Sequence, residues 1–333
     1  MKRSLRILIA FILMLGFIYV AGPTFPDPKL RNELPVIPIE RAELDKFLEL
    51  QKDSFPVKRN NESKIIWAND SLKSQTEWSL LYLHGFSASR MEGNPTHLNF
   101  ARHFGMNAFL PRLASHGLDV PDPLLDMTPD RLYESAKEAL IIAGKLGKKT
   151  IIMSTSTGGT LSLKLAAEFP DLVDALILLS PNIAINNSAA FLLSKPWGLQ
   201  IARLVYGGDF RTVNTNPDDS ECDYWNCVYR IEAIVYLQQL VESTMTQHTF
   251  LRVKAPVFLG YYYKDETHQD EVVKVDAALK MFEELGTPEA QKRAQSFDAG
   301  VHVIGCGMFS KTQPEVEQAA IKFAEDVLKI ERK

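Results

Sequence analysis

The sequence predicts an α/β protein in which helices cover both faces of a mostly parallel central sheet. From about residue 63 onward, short apolar runs of strand length alternate with segments of helical periodicity. Several runs are apolar throughout, which is typical of central strands that are buried on both faces. The alternation is interrupted once, by more than 70 residues between Pro181 and Pro256 that are rich in aromatic and long aliphatic side chains. A connection of this length predicts a helical insertion.

Length and composition exclude several classes of protein. The chain has 333 residues, and its 37 basic and 41 acidic side chains give a net charge of −4. This balance argues against a dedicated nucleic-acid binder. A hydrophobic fraction of 46% and a charged fraction of 23% are typical of a globular protein and exclude disorder as the main state. Three cysteines are too few for a scaffold built from disulfides.

Residues 1–22 differ most from the rest of the chain in composition. Basic side chains in the first six residues precede an uncharged run that ends at Gly22, an arrangement typical of a signal peptide or an uncleaved signal anchor. Cleavage after Ala21 would place bulky Tyr19 where a small residue is preferred, so we favour the anchor. We therefore expect an exported or membrane-anchored protein, attached through this segment, with its main domain outside the cytoplasm.

A linker and a short helix are predicted to follow. Residues 23–38 contain five prolines, which favours a semi-rigid extended tether over packed structure. Leu44, Phe47 and Leu48 have the spacing of a short amphipathic helix. The predicted divisions of the chain are 1–22 (signal anchor or signal peptide), 23–38 (linker), 39–182 with 255–333 (main domain) and 183–254 (insertion).

The elements of the main domain are predicted from periodicity. Apolar residues at every fourth position from Leu161 to Phe169 indicate one helix. A Thr-Pro pair at 128–129 begins another, because proline is favoured in the first helical turn. A third helix is indicated from Val316 to Val327. The six predicted strands cover residues 65–68, 80–83, 108–110, 151–153, 175–179 and 257–263.

Residues 151–159 place Ser156 between a buried strand and a helix predicted to begin near Thr160. A sharp strand-to-helix turn needs small residues two positions before and after its apex, and Ser154 and Gly158 occupy these positions. Such a turn lifts the Ser156 hydroxyl clear of the sheet and directs the helix N-terminus towards it. We predict that Ser156 is a nucleophile; the alternative is a Ser/Thr/Gly-rich loop without a catalytic role.

A second apolar run, 80–83, is followed directly by His84, Gly85 and Phe86. If this strand lies near the strand of the serine, the backbone N–H groups of Phe86 and Thr157 would form a two-donor oxyanion hole. We interpret His84 as a structural residue that holds the loop by hydrogen bonds. His116, which lies in a Ser-His-Gly turn after another strand, has the same interpretation.

With these motifs in this order, the chain resembles the α/β-hydrolases, and more narrowly their carboxylesterase and monoacylglycerol-lipase-like branch. The resemblance covers about residues 63 to 330 and implies that residues 183–254 form a helical lid. It also implies an acid and then a histidine after the lid, each near the end of a late strand. Asp270 begins a sequence similar to the D-x-V-V pattern of the family, and Asp265, nearer to its strand, is the alternative acid. His302 occupies the family's histidine position.

The resemblance implies a serine hydrolase that cleaves carboxylic esters, of acylglycerols or of short-to-medium acyl chains, through an acyl-enzyme. A serine peptidase or amidase on the same fold and a non-catalytic binding protein are the alternatives. We expect no cofactor, because the seven histidines lack metal-ligand spacing and no phosphate-binding or dinucleotide motif is present. Cys222 and Cys227 could form a disulfide if the domain is exported, with a pair of free thiols as the alternative.

Overall fold

A computed structural model describes residues 2–214 and 220–333. Met1 and residues 215–219, parts of the predicted N-terminal segment and insertion, lie outside the described residues. The strands are β1 (Lys64–Ile66), β2 (Thr76–Leu83), β3 (Asn107–Leu110), β4 (Gly147–Thr155), β5 (Ala175–Leu179), β6 (Phe210–Thr212), β7 (Val228–Arg230), β8 (Val257–Asp265), β9 (His268–Gln269) and β10 (Lys292–Phe297). The α-helices are α1 (Lys2–Val20), α2 (Leu44–Asp53), α3 (Thr96–His103), α4 (Pro129–Leu146), α5 (Thr157–Glu168), α6 (Gly198–Tyr206), α7 (Glu221–Tyr224), α8 (Glu232–Thr244), α9 (Gln247–Arg252), α10 (Val275–Glu284) and α11 (Gln313–Asp326).

The main sheet has the order β1-β3-β2-β4-β5-β8-β10, with β9 paired to β8. All neighbours from β3 to β10 in this order are parallel, whereas β1 and β9 pair antiparallel with β3 and β8. The predicted class, a mostly parallel sheet within an α/β architecture, is therefore confirmed. The carboxyl ends of the parallel strands meet at one edge of the sheet, where loops of different strands come together.

Side chains of the sheet alternate between two hydrophobic cores. Ile152 and Leu176 belong to the core that contains α4 and α5, whereas Ile151 and Ile177 belong to the core that contains α3 and α11. Helices therefore cover both faces, which explains why the central strands are apolar on both sides. The strand β10 was not predicted, because its four interior residues are exposed at the edge of the sheet and all but Ala294 are polar.

The segment between β5 and β8 contains the helices α6 to α9 and a small antiparallel sheet of β6 and β7. The helix α8 joins this segment to the main core through the buried side chains of Ile234, Leu237 and Leu240. Cys222 in α7 and Cys227 directly before β7 form a disulfide with a Cα–Cα distance of 5.4 Å.

At the N-terminus, α1 is followed by an extended segment. No helix within residues 2–214 and 220–333 combines the length and the apolar character that a membrane crossing requires. The predicted anchor thus gains no support from the structure.

Residues 23–38, the predicted linker, contain neither helix nor strand, and several of them form hydrogen bonds with the domain. The Lys137 ammonium donates to the carbonyl oxygens of Arg31 and Glu33 at 2.7 and 2.6 Å. The Gln239 amide donates to the carbonyl of Pro26 at 3.1 Å. An extended proline-rich strand has no internal hydrogen bonds, so its carbonyls are available for such contacts.

Candidate active site

Ser156 lies at the apex of a tight turn between β4 and α5. Its backbone has φ 53° and ψ −119°, a sparsely populated conformation for a residue with a side chain. The neighbouring strand stabilises this conformation, because Ser156 N–H donates to Leu179 O at 3.1 Å and Asn182 N–H donates to Ser156 O at 2.9 Å. The helix α5 begins at Thr157, three residues earlier than predicted, and its N-terminus therefore adjoins the serine.

Gly158 is required at this turn by the close approach of β2. A Cβ atom at position 158 would lie 2.0 Å from the carbonyl oxygen of Leu83, a distance that no side chain tolerates. The first turn of α5 can therefore pack against the end of β2 only with glycine at this position. This contact places the loop after β2 beside Ser156.

The structure brings Asp270 and His302 together. The Nδ1 atom of His302 lies 2.6 Å from Oδ2 of Asp270, and the carboxylate is buried. The other oxygen of Asp270 accepts hydrogen bonds from the backbone N–H groups of Val272 and Val273 at 2.9 and 3.1 Å. With both oxygens bonded, the carboxylate is held in one orientation, and the proton of the neutral imidazole is expected on Nδ1.

Asp265, the alternative acid, lies elsewhere. Its side chain is half exposed and contacts His268 and Thr267, with 2.8 Å between Oδ1 and His268 Nδ1. The strand β9 returns the chain antiparallel to β8, so Asp265 faces solvent while Asp270 lies beside Tyr262. Of the two candidates, Asp270 is thus the one that contacts His302.

The two partners shift each other's pKa in opposite directions. Burial disfavours the charged imidazole, but the charge and hydrogen bond of Asp270 outweigh it and raise the pKa of His302 above its ordinary value. Burial likewise disfavours the carboxylate, yet the charge of His302, its hydrogen bond and two backbone N–H groups lower the pKa of Asp270. The pair therefore favours an ionised acid and stabilises an imidazolium beside it.

Ser156 and His302 line the same cavity. The Nε2 atom of His302 is buried and has no hydrogen-bond partner in the part of the chain that the structure describes. With Nδ1 engaged by Asp270, Nε2 is the nitrogen that remains available to accept a proton. The geometry thus leaves an unoccupied base in the chamber that holds the serine hydroxyl.

Phe86 and Thr157 also line this cavity. Neither backbone N–H donates to another group within the described ranges, and Thr157 is the first residue of α5, whose N–H groups have no acceptor inside the helix. The loop of Phe86 is fixed by His84, whose Nε2 accepts from Leu113 N–H at 3.1 Å and whose Nδ1 lies 2.9 Å from Gly85 O. The structure thus places two free donors beside the serine.

The insertion supplies the apolar wall of the cavity, which has a volume of about 680 Å³. This size lies within the usual range for sites of small molecules. Apolar residues from the segment before α6, from α6 itself and from α8 line the chamber together with Ser156; they include Leu192, Leu193, Ile201, Ala202, Val205 and Leu237. Polar lining residues include Asn182, Arg211 and Glu92.

Glu92 was not identified from the sequence. It lies in a short 3-10 turn, Arg90–Gly93, eight residues after His84, and is buried. A single acidic residue in a loop carries no pattern that signals burial, so only the structure reveals its position. Among the described residues, no group of three or more His, Cys, Asp or Glu side chains is arranged to hold a metal ion.

Comparison with known proteins supports the fold. No family model matches the chain, and no curated protein matches its sequence. A structure reported for the metagenome-derived lipolytic enzymes LipS and LipT aligns with a TM-score of 0.64 and 16% identity, over 80% of this chain and 98% of that chain. A monoacylglycerol lipase from Paleococcus ferrophilus aligns with a TM-score of 0.57 and 14% identity, over 78% and 96%. Est1E from Butyrivibrio proteoclasticus, with ferulic acid bound, aligns with a TM-score of 0.54 and 16% identity, over 80% and 95%.

These identities are low, so the similarities establish architecture and not activity. The structural alignments agree with two features of the chain. These are the order and direction of its strands and the turn at Ser156. The chain therefore has the α/β-hydrolase fold.

Proposed function

We propose that this protein is a serine hydrolase that cleaves carboxylic esters through an acyl-enzyme. The observation that carries this proposal is the convergence on one cavity of Ser156, the His302–Asp270 pair and the free N–H groups of Phe86 and Thr157. A serine hydroxyl is a weak nucleophile at neutral pH and requires an adjacent base and stabilisation of the oxyanion. The site holds a candidate for each of these roles.

The proposed reaction proceeds in two halves. As the Ser156 Oγ attacks the acyl carbonyl carbon, Nε2 of His302 takes its proton, and Asp270 stabilises the imidazolium. The carbonyl oxygen, now an oxyanion, accepts hydrogen bonds from Phe86 N–H and Thr157 N–H. His302 then protonates the departing alcohol, leaving an acyl group on Ser156. Water, activated by the same imidazole, attacks the acyl-enzyme and releases the acid.

The form of the cavity supports an acyl ester as the substrate, with an acylglycerol or a short-to-medium acyl ester as the proposed class. The apolar wall formed by the insertion suits a hydrocarbon chain, whereas polar lining residues come from the loops after β2 and β5, with Glu92 and Asn182, and from β6, with Arg211. Lipases and esterases among the structural neighbours support the same class. In this proposal the insertion acts as the lid that closes the chamber.

A chain-length series of p-nitrophenyl esters tests this proposal. We expect kcat/KM to rise about fourfold for each added methylene, the equivalent of about 0.8 kcal/mol, until the acyl group fills the cavity. Ala202→Phe, which adds a ring to the apolar wall, is expected to lower the ratio of long-chain to short-chain activity by about 10-fold.

The control for the added ring is Leu72→Phe, because Leu72 is exposed and does not line the cavity. A flat profile across the series would contradict the proposed acyl site. A matched amide that is cleaved as fast as its ester would favour a peptidase or amidase instead.

We further propose that the catalytic domain works outside the cytoplasm. The disulfide between Cys222 and Cys227 supports this location, because disulfides persist in oxidising compartments and are rare in the cytosol. The basic and apolar composition of the N-terminal segment agrees with export. Fractionation of cells that produce the full chain shows whether this segment keeps the protein with the membrane or is removed.

Thiol labelling provides the corresponding test on protein isolated without reductant. Cys306 is buried and is the remaining cysteine, so denatured, unreduced protein is expected to react with one maleimide per chain. After reduction, three thiols are expected to react. Three reactive thiols before reduction would show that the disulfide is absent and remove the support for an oxidising location.

A further inference from the structure

Glu92 is a buried carboxylate that the proposed mechanism does not use. Its side chain is 2% exposed and lines the cavity of Ser156 and His302. The nearby Arg90 guanidinium is paired with Glu62 at 3.2 Å, and no lysine or arginine in residues 2–214 and 220–333 forms an ion pair with Glu92. Burial of a carboxyl group without a cation is costly. Its hydrogen bonds must therefore supply its stabilisation.

These hydrogen bonds hold the end of β2 and the residue that precedes Phe86. The Oε2 atom of Glu92 accepts the Gly85 N–H at 2.6 Å and the Tyr82 hydroxyl at 3.2 Å. The same hydroxyl lies 3.0 Å from Oγ1 of Thr155, the residue before Ser156. The carboxyl group thus holds the end of β2, which leads into Phe86, and Tyr82 extends the hydrogen-bond network to the end of β4, which leads into the nucleophile.

Gly85 permits this arrangement. A Cβ atom at position 85 would lie 2.8 Å from Oε1 of Glu92 and 2.9 Å from Cβ of Ser156. The carboxyl group and the serine therefore enclose the same short stretch of backbone from two sides. The next peptide along the chain carries the Phe86 N–H, so the position of that donor depends on how firmly the Gly85 amide is held.

We propose that Glu92 is a positioning residue for the oxyanion hole: by holding the Gly85 amide, it directs the N–H of Phe86 at the oxygen of the substrate carbonyl. This inference rests on the proposed function, since an oxyanion forms only if Ser156 attacks an acyl group. Hydrogen bonds to a charged acceptor are shorter and stronger than those between neutral groups, which suits a contact that must fix a backbone amide.

The charge of the Glu92 carboxylate has a second effect, on the pKa of His302. Burial raises the pKa of Glu92 to about 7, although the Gly85 N–H, the charge of His302 and the Tyr82 hydroxyl act in the opposite direction. Three titratable groups interact electrostatically with the Glu92 carboxylate: Tyr82 on β2, and His302 and Cys306 in the segment after β10. Glu92 in turn raises the pKa of His302. Its negative charge therefore favours the imidazolium that forms during attack.

The test compares Glu92→Gln with wild type and with Glu62→Gln, a control that changes a nearby acid which does not line the cavity. Glutamine keeps the size of the side chain and an acceptor oxygen, but it removes the charge. We expect kcat of Glu92→Gln to fall by about 10- to 100-fold, less than the loss of a whole oxyanion donor, with KM changed less than threefold. The acid limb of its pH profile should move to lower pH, whereas Glu62→Gln should keep the wild-type kcat and profile.

Two results would overturn the inference. One is a wild-type kcat in Glu92→Gln. The other is a loss that comes with a lower melting temperature and an unshifted acid limb, which would indicate that Glu92 only stabilises the fold. Labelling of Ser156 by a fluorophosphonate separates this inference from the proposed function. If wild type is labelled and Glu92→Gln remains fully active, only the positioning role is refuted. If wild type is not labelled, the proposed hydrolase function itself is refuted.

Discussion

Replacing Ser156 by alanine is expected to reduce kcat for ester hydrolysis by about 10⁴-fold or more, while the protein remains folded. The size of the effect follows from the proposed role of the hydroxyl, because without it the other groups assigned to the site can only bind and polarise the substrate. Steady-state hydrolysis of a p-nitrophenyl ester measures the loss. Peptide mapping after treatment with a fluorophosphonate should locate the label on Ser156 in wild type and find none in the variant.

The matched control is Ser162→Ala, six residues after Ser156 and within α5. Ser162 is also buried, but its hydroxyl donates to the carbonyl of Gly158 at 2.7 Å and does not line the cavity. This variant should hydrolyse the ester at close to the wild-type rate. Label on another serine of the wild type, or full activity of Ser156→Ala, would show that the nucleophile has been assigned to the wrong residue.

Replacing Asp270 by asparagine is expected to lower kcat by about 10⁴-fold, because the imidazole loses the partner that fixes its tautomer and stabilises its charged form. The pH profile supplies the second readout. The base must be neutral to act, so wild-type activity should rise with pH through the raised pKa of His302. Without the charge of Asp270 that pKa falls, and the acid limb of the residual activity should move to lower pH.

Asp265→Asn is the control for this experiment. It removes an acidic side chain at the end of β8, five residues before Asp270, but that side chain is exposed and bonded to His268. We expect wild-type activity and an unshifted profile. The opposite pattern, with a loss in Asp265→Asn and none in Asp270→Asn, would mean that the acid has been assigned incorrectly.

The strands could be predicted from sequence where burial imposes an apolar composition. The central strand β5 has the predicted bounds, and all of its side chains are buried. The edge strand β10 shows the limit of this approach, because only its terminal residues are buried and its alternation is therefore lost. Pairing with β8, and not the composition of the segment, makes it a strand.

The candidate site was predictable to a similar extent. Ser156 could be identified from its neighbours in the sequence. The small residues at fixed offsets from it are needed because β2 approaches the turn so closely that only glycine fits at position 158. The choice between Asp265 and Asp270 depends on the turn that pairs β9 with β8, and the sequence alone does not predict this turn. Glu92 has no local signal, since its role depends on a contact with a glycine seven residues away. Likewise, only the structure can show that the backbone N–H groups of Phe86 and Thr157 have no acceptor, because this depends on which groups surround them.

The contacts of residues 23–38 determine where the stable body of the protein begins. The Lys137 side chain is 1% exposed, and apart from Glu134 at 2.8 Å its acceptors are two backbone oxygens of that stretch. A chain that began at residue 39 would leave the buried Lys137 ammonium without these two backbone acceptors. It would also expose the side of α4 that residues 23–38 cover. Cleavage between α1 and the domain would therefore preserve all of these contacts only if it fell ahead of Pro26.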